Sequence, residues 1–232
     1  MATLVSERLD EPWRRRLLLP AYQIAEAAKY ADIAPQTVAA WHLIEAKLLK
    51  QREVRSALSY MQLIEVAVVA AFRKAGVSMP RIRKARRWAA HELKSEYPFA
   101  QYEFKENAKH LYLDAQQVDD LKDNTVVQAD AGGQLEWESV IGRLREFEYE
   151  AGGIALRWRV AGEGSPIIID PRVSFGAPAI KGIATWVLRG RYEAGESDSD
   201  IADDFGLERD EVRAALKFEG VLGAGRSKSR LH

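Results

Sequence analysis

A mainly helical α+β fold is what this sequence predicts, with helical segments at both ends and a small antiparallel sheet between them. Three observations predict it. Apolar residues recur at helical spacing across 20–95 and again across 183–219. The period shifts to near alternation between about 97 and 160, with paired glycines at the turns. The short apolar run "PIIID" reads as a strand leading into the last helical stretch. A chain of 232 residues is long enough for two or three small domains with cores of their own.

The first helix is expected to end near Tyr30, with Tyr22, Ile24, Ala25 and Ala28 on its buried side. A tight turn follows, and Pro35 opens a second helix that buries Val38 and Trp41, with Ile33 pinning the turn. The next segment, Leu58 to Ala75, carries Met61, Ile64, Glu65, Val68 and Phe72 at helical spacing and stops at Gly76. Ser78 caps a fourth helix with Ile82, Ala85, Ala89 and Leu93 inside, and Pro80 suits its first turn.

In the middle, "YPFAQYEFKENAKHLYLDA" alternates aromatics around Asn107 as a hairpin would, and "NTVVQADAGGQLEW" repeats the form with Gly132 and Gly133 at the turn. A helix from Glu138 to Glu146 leads into a third hairpin, "FEYEAGGIALRWRV", turning at Gly152 and Gly153. After "PIIID" the stretch "PRVSFGAPAIKG" reads as a loop. Helices follow at Ile183 to Tyr192, Ser199 to Phe205 and Glu208 to Glu219, with Gly206 closing the second. The expected domains are 20–95, 96–165 and 166–220, followed by a basic tail at 221–232.

Composition narrows the classes. Hydrophobic residues make up 47% and charged residues 29%, as in folded soluble chains. There is no cysteine, which excludes disulfides and thiolate zinc sites and points to a reducing compartment. The longest apolar helical run, "IEVAVVAAF", is too short to span a bilayer. The N-terminus lacks a signal-peptide pattern, so a cytoplasmic location is expected. His42, His91, His110 and His232 are scattered without ligand spacing, and no nucleophile triad or phosphate-cradling loop is present. Neither an enzyme nor a metal or other cofactor is expected. Asp198, Asp200, Asp203 and Asp204 sit where helix capping accounts for them.

The net charge of zero conceals a division. Residues 1–95 hold 17 Lys and Arg against 9 Asp and Glu, leaving 17 against 25 for the rest. The front half is suited to phosphate and the rear half repels it. The Tyr22–Lys47 stretch has helix-turn-helix spacing, and its second helix offers Gln36 and Thr37, and further on His42, to base edges. Lys47, Lys50, Arg52 and Arg55 follow that helix and suit backbone contacts. The run Arg14, Arg15, Arg16 and the helix "RIRKARR", with Arg83 and Arg87 on one face, add further cations. In the rear, "DIADDFGLERDEVRAAL" is again helix-turn-helix in spacing, with Ile201, Ala202, Phe205, Leu207, Val212 and Leu216 as core. Its exposed side is acidic at Asp203, Asp204, Glu208, Asp210 and Glu211, which favours a protein partner.

These motifs carry a family resemblance. "AYQIAEAAKYADIAPQTVAAW" resembles the start of a MerR-like winged helix-turn-helix domain, and Gly76–Ser78 with Ile82–Arg83 resembles its paired helices. It departs at Ala39, where such reading helices usually carry an arginine. Residues 167–219 resemble a small domain of formerly unknown function found in bacterial antitoxins. The match runs through Asp170-Pro171-Arg172, Gly176-x-Pro178, Lys181-Gly182, "AGES" and "IADDFGL…EVRAAL". The combination resembles the larger VapB-type antitoxins. That resemblance implies operator DNA and a PIN-domain ribonuclease toxin as partners, a homodimer and higher toxin–antitoxin complexes, and no membrane. A PIN site gathers carboxylates around a divalent metal, so Arg226, Lys228 and Arg230 of the tail are suited to enter it. Two other readings stay open: a MerR-like transcriptional regulator whose middle and rear parts sense a small molecule, and an interaction module that never meets DNA.

Overall fold

The computed structural model describes residues 12–48, 57–105 and 140–222, and divides into two compact units, 1–158 and 159–232. The fold is α+β and mainly α, with small antiparallel sheets.

In the first unit, α1 (Pro12–Arg16) precedes a two-residue strand β1 (Tyr22–Gln23), then α2 (Ile24–Ala31) and α3 (Pro35–Leu48). Strand β2 (Ala57–Leu58) returns beside β1, pairing Tyr22 with Leu58 and Gln23 with Ala57. Helix α2 stops because Asp32 takes the left-handed conformation (φ 53°), which asparagine and aspartate tolerate better than most. The Ile33 N–H then reaches back to the Ala28 carbonyl at 3.1 Å. The buried face of α2 is Ala27, Ala28 and Ala31, whereas Ala25 is exposed, so the expected burial of Ala25 is corrected. Three small residues, rather than one early alanine, let the neighbouring helices approach.

Helix α4 (Tyr60–Lys74) is the core of this unit. Every residue from Tyr60 to Phe72 is buried, because α2, α3, α5 (Met79–Glu92) and the 3-10 turn Pro98–Ala100 all pack on it. A helix apolar on all sides can only lie inside. Ser59 caps it, accepting from the Gln62 N–H, while the Gln62 side chain accepts from the Ser59 N–H at 3.0 Å. Four aromatics fasten the layers. Trp41 stacks on Phe99 with 6.4 Å between centroids, and Phe99 also meets Phe72 at 5.8 Å and Phe104 at 4.7 Å.

That cluster overturns the expected hairpin around Asn107 as far as Lys105. Residues 98–100 form a 3-10 turn and 102–105 are helical. Phe99 and Phe104 face one core, and it is the pairs Tyr97/Phe99 and Tyr102/Phe104, each two residues apart, that imitate strand alternation. The remainder of that hairpin, and the one at Gly132–Gly133, lie outside the described residues. The third hairpin is present: β3 (Phe147–Tyr149) pairs antiparallel with β4 (Ala155–Arg159), with an irregularity between Glu148 and Tyr149. The preceding helix is described from residue 140.

In the second unit, β5 (Ile168–Ile169), β6 (Ala179–Ile180) and β7 (Ile183–Ala184) form an antiparallel array, followed by α6 (Thr185–Glu193), α7 (Asp198–Phe205) and α8 (Arg209–Phe218). The stretch expected to be only a loop contains the β6–β7 hairpin. Its turn residues Lys181 and Gly182 both have positive φ (48° and 90°), the geometry that matches strand twist. Strands of two residues are too short to reveal alternation in sequence. Helix α7 starts at its Ser197 cap, which accepts from the Asp200 N–H at 3.1 Å, and ends at Gly206 (φ 62°). Ile201, Val212, Ala215 and Leu216 are the buried seam of α7 and α8.

Candidate nucleic-acid interface and partner face

The cations of α5 are divided between its two sides. On α5 the buried stripe Ile82, Ala85, Arg86 and Ala89 leaves Arg81 and Arg87 exposed and Arg83 half-buried. The Arg83 Nε–H donates to the Met79 carbonyl at 3.3 Å. Arg86 is the exception to the solvated run: its Nε–H donates to Glu65 at 2.6 Å, and its Nη2–H to the Glu96 carbonyl at 2.7 Å. Both partners of this ion pair are buried. Sequence reasoning missed the pair, although a glutamate in the apolar run of α4 was the available signal.

Arg14 is likewise withdrawn from any phosphate role. It is buried and forms a two-pronged pair with Glu150, both contacts 3.0 Å, while Arg15 beside it is exposed. The expectation that Arg14, Arg15 and Arg16 act as one basic run is therefore corrected. His42 is corrected too: it is 2% exposed, one residue past Trp41 on the inward side of α3, and cannot touch a base. Gln36 is exposed and Thr37 half-buried at the start of α3, which leaves that end of the helix accessible. Lys47 belongs to α3 but its side chain is outside the described set. Lys50, Arg52, Arg55, Arg226, Lys228 and Arg230 lie outside the described residues altogether. At the other end of the turn, Lys74 pairs with the C-cap Asp32 at 2.5 Å, and this holds the Asp32 carboxyl below its ordinary range. The contact ties the end of α4 to the turn that sets the angle between α2 and α3.

In the second unit the acidic surface is less bare than its composition suggested. Arg209 and Arg213 donate to the two oxygens of Asp198 at 2.9 and 2.6 Å. Arg191 pairs with Glu196 and with Asp204, the latter at 2.6 Å. Lys181 reaches Glu211 at 2.8 Å. The expectation of a simply acidic face is corrected to a network of opposite charges, with Asp203, Glu208 and Asp210 still exposed. These arginines and the lysine hold Asp198 and Glu211 below the usual carboxylate range. A lowered folded value means stability present above the unfolded value, about pH 4, and lost as pH falls through the folded one. Thermal unfolding of the full chain should thus shift to lower temperature as pH falls below about 4. The Asp198→Asn chain should show a shallower acid loss, and identical acid profiles for the two chains would contradict this.

The loop before β6 is strained. Asp170 is buried and gripped by its neighbour Arg172, whose Nε–H and Nη2–H donate at 2.9 and 2.6 Å. Beyond it Ser174 (φ 46°) and Phe175 (φ 55°) are successive non-glycine residues in the left-handed region, followed by Gly176 (φ 80°). Such residues cost about 1–3 kcal/mol each and persist only where the surroundings enforce them. One restraint is visible, the Ser174 hydroxyl donating to the Gly182 carbonyl at 2.7 Å. The outcome is a phenylalanine ring 81% exposed.

Among the described residues no group of three or more His, Asp or Glu is placed to hold a metal ion, and no helix is long and apolar enough to cross a membrane.

The front unit thus joins two short helices by a tight turn and presents exposed cations, and the rear unit is built on a short hairpin and three helices. Residues 167–218 match a family described as a protein of unknown function (DUF433). Over 231 residues the chain is 26% identical to a Mycobacterium tuberculosis (strain ATCC 25618 / H37Rv) protein named "Putative antitoxin VapB45", covering 89% of this chain and 97% of that one. Its fold is shared with the crystal structure of Rv2018 from Mycobacterium tuberculosis, with a TM-score of 0.69, 22% identity, and coverage of 87% of this chain and 99% of that chain.

Proposed function

We propose that this protein is the antitoxin of a type II toxin–antitoxin system, neutralising a PIN-domain ribonuclease and repressing its own operon. The observation that carries the reading is likeness over nearly the whole chain to a protein named as an antitoxin, at 26% identity. The family match at 167–218, on the motifs that resemble an antitoxin domain, supports it.

In this reading residues 20–95 are a MerR-like DNA-binding domain. Gln36 and Thr37 sample base edges, while Lys47, Lys50, Arg52, Arg55, Arg83 and Arg87 neutralise phosphates. The exposure of Gln36 and Arg87 supports these roles. One mild reading helix gives little specificity, so a homodimer reads two half-sites. Residues 166–220 engage the toxin, and Arg226, Lys228 and Arg230 of the tail enter its carboxylate-lined site. Residues 96–165 form the connecting α+β region.

The test is a gel shift with DNA from upstream of its own gene, across a salt series, beside co-purification with the nuclease encoded next to it. Binding should weaken steeply with salt, and Arg87→Ala should reduce the slope by about one. No shift at low salt removes the repressor role, and no nuclease in the purified complex removes the antitoxin role.

A further inference from the structure

We propose that Phe175 and Trp186 form the docking surface through which the C-terminal unit grips its protein partner. The proposal rests on the antitoxin reading and names the surface used. Four observations converge on one place. Phe175 and Trp186 are 81% and 59% exposed, the most exposed large hydrophobic residues among those described, and Val173, two residues before Phe175, is exposed as well. The Ser174 hydroxyl ties the Phe175 loop to Gly182, and Val173 lies 3.8 Å from where a Cβ on Gly182 would stand. Trp186 follows Gly182 by four residues, at most about 14 Å of chain, so both rings fall within one ordinary interface. The loop holds Phe175 outward in a backbone conformation that bulky side chains avoid, which a merely solvated loop has no reason to retain.

Charge around the rings indicates the occupant. Arg172 faces Asp170 and Lys181 faces Glu211. In each pair the cation, 42% or 55% exposed, stands clear of a carboxylate only 7% or 19% exposed. The tips that meet a partner at contact range are therefore positive, whereas the group as a whole is close to neutral. A nucleic-acid backbone rewards net charge over a Debye length and gains little here. A protein surface with an apolar pocket and carboxylates at its rim gains both aromatic burial and short-range pairing. The partner fitted is such an acid-rimmed protein, in this reading the toxin.

The experiment compares full-length wild type, Phe175→Gly and Trp186→Ser for binding to the neighbouring nuclease. Glycine accepts positive φ freely and the lost ring is 81% exposed, so Phe175→Gly should unfold at a temperature no lower than wild type. It should nevertheless bind the nuclease at least tenfold more weakly, as should Trp186→Ser. Wild-type binding with undiminished binding by both variants overturns the surface but leaves the antitoxin reading intact. Absence of wild-type binding overturns that reading itself. Variants that lose self-association, or binding to a single-stranded oligonucleotide, while keeping the nuclease would assign the rings to a second copy or to nucleic acid and overturn the proposal.

Discussion

Arg86→Ala is expected to cost the N-terminal unit about 3–5 kcal/mol, while Arg87→Ala, one residue along the same helix, leaves stability nearly unchanged. The difference follows from helix phase. Arg87 points to solvent, whereas Arg86 is the counter-charge of a glutamate with no exposed surface. Burial pushes the Glu65 carboxyl up, against the pull of Arg86 and of the Phe99 N–H that donates to it at 2.8 Å. Without Arg86 the carboxyl must stay buried and charged or take up a proton. The folded state then holds that proton more tightly than the unfolded state does. Stability is therefore retained below the unfolded carboxyl value and lost as pH rises through the elevated folded one. The deficit of Arg86→Ala relative to wild type should widen from about pH 4 to neutral, measured by urea unfolding. Replacing both partners by methionine should recover only part of it, because the Phe99 N–H and the Glu96 carbonyl each lose a hydrogen bond. Equal stability of Arg86→Ala and Arg87→Ala would show that the pair is not buried as described.

Trp41→Ala should cost a similar amount, about 3–5 kcal/mol, and remove the helix expected to read DNA along with it. Trp41 is the only aromatic of α3, is fully buried, and lies nearly parallel to Phe99, whose other faces meet Phe72 and Phe104. Truncation opens a cavity between α3 and the α4 core at the point that fixes where Gln36 is presented. Trp41→Phe separates packing from polarity. It keeps a ring against Phe99 and removes an indole N–H that has no acceptor among the described residues, at the expense of a smaller void. Its loss should be well under half that of alanine. Urea unfolding followed by circular dichroism measures both, and a Trp41→Ala chain as stable as Trp41→Phe would refute the role of the aromatic stack.

Much of the helical framework was determined by the sequence itself, because its signals are local. Pro35 at the start of α3, Ser59 before α4, Ser197 before α7 and Gly206 after it each act on backbone groups a few residues away, whereas Ser78 stands at the N-cap of α5 without a side-chain cap bond. The presence of α4 was similarly plain, but helical spacing marked only Met61, Ile64, Glu65, Val68 and Phe72 as its inner positions, whereas packing from several elements buries every residue from Tyr60 to Phe72. The third hairpin at Gly152 and Gly153 was legible for the same reason. Tertiary structure alone decided which charges were available. Arg14 and Arg15, or Arg86 and Arg87, are chemically identical neighbours in a basic run. One of each pair is buried against a carboxylate, Glu150 at 136 residues' distance or Glu65 at 21. No local rule carries that choice: burial of a charge is favourable only when a partner from another segment arrives in the right geometry. The same holds for Phe99 and Phe104, which with Tyr97 and Tyr102 looked like strand alternation until the α4 core drew both inward, and for Phe175, beside the Ser174 hydroxyl that bonds to Gly182 eight residues on.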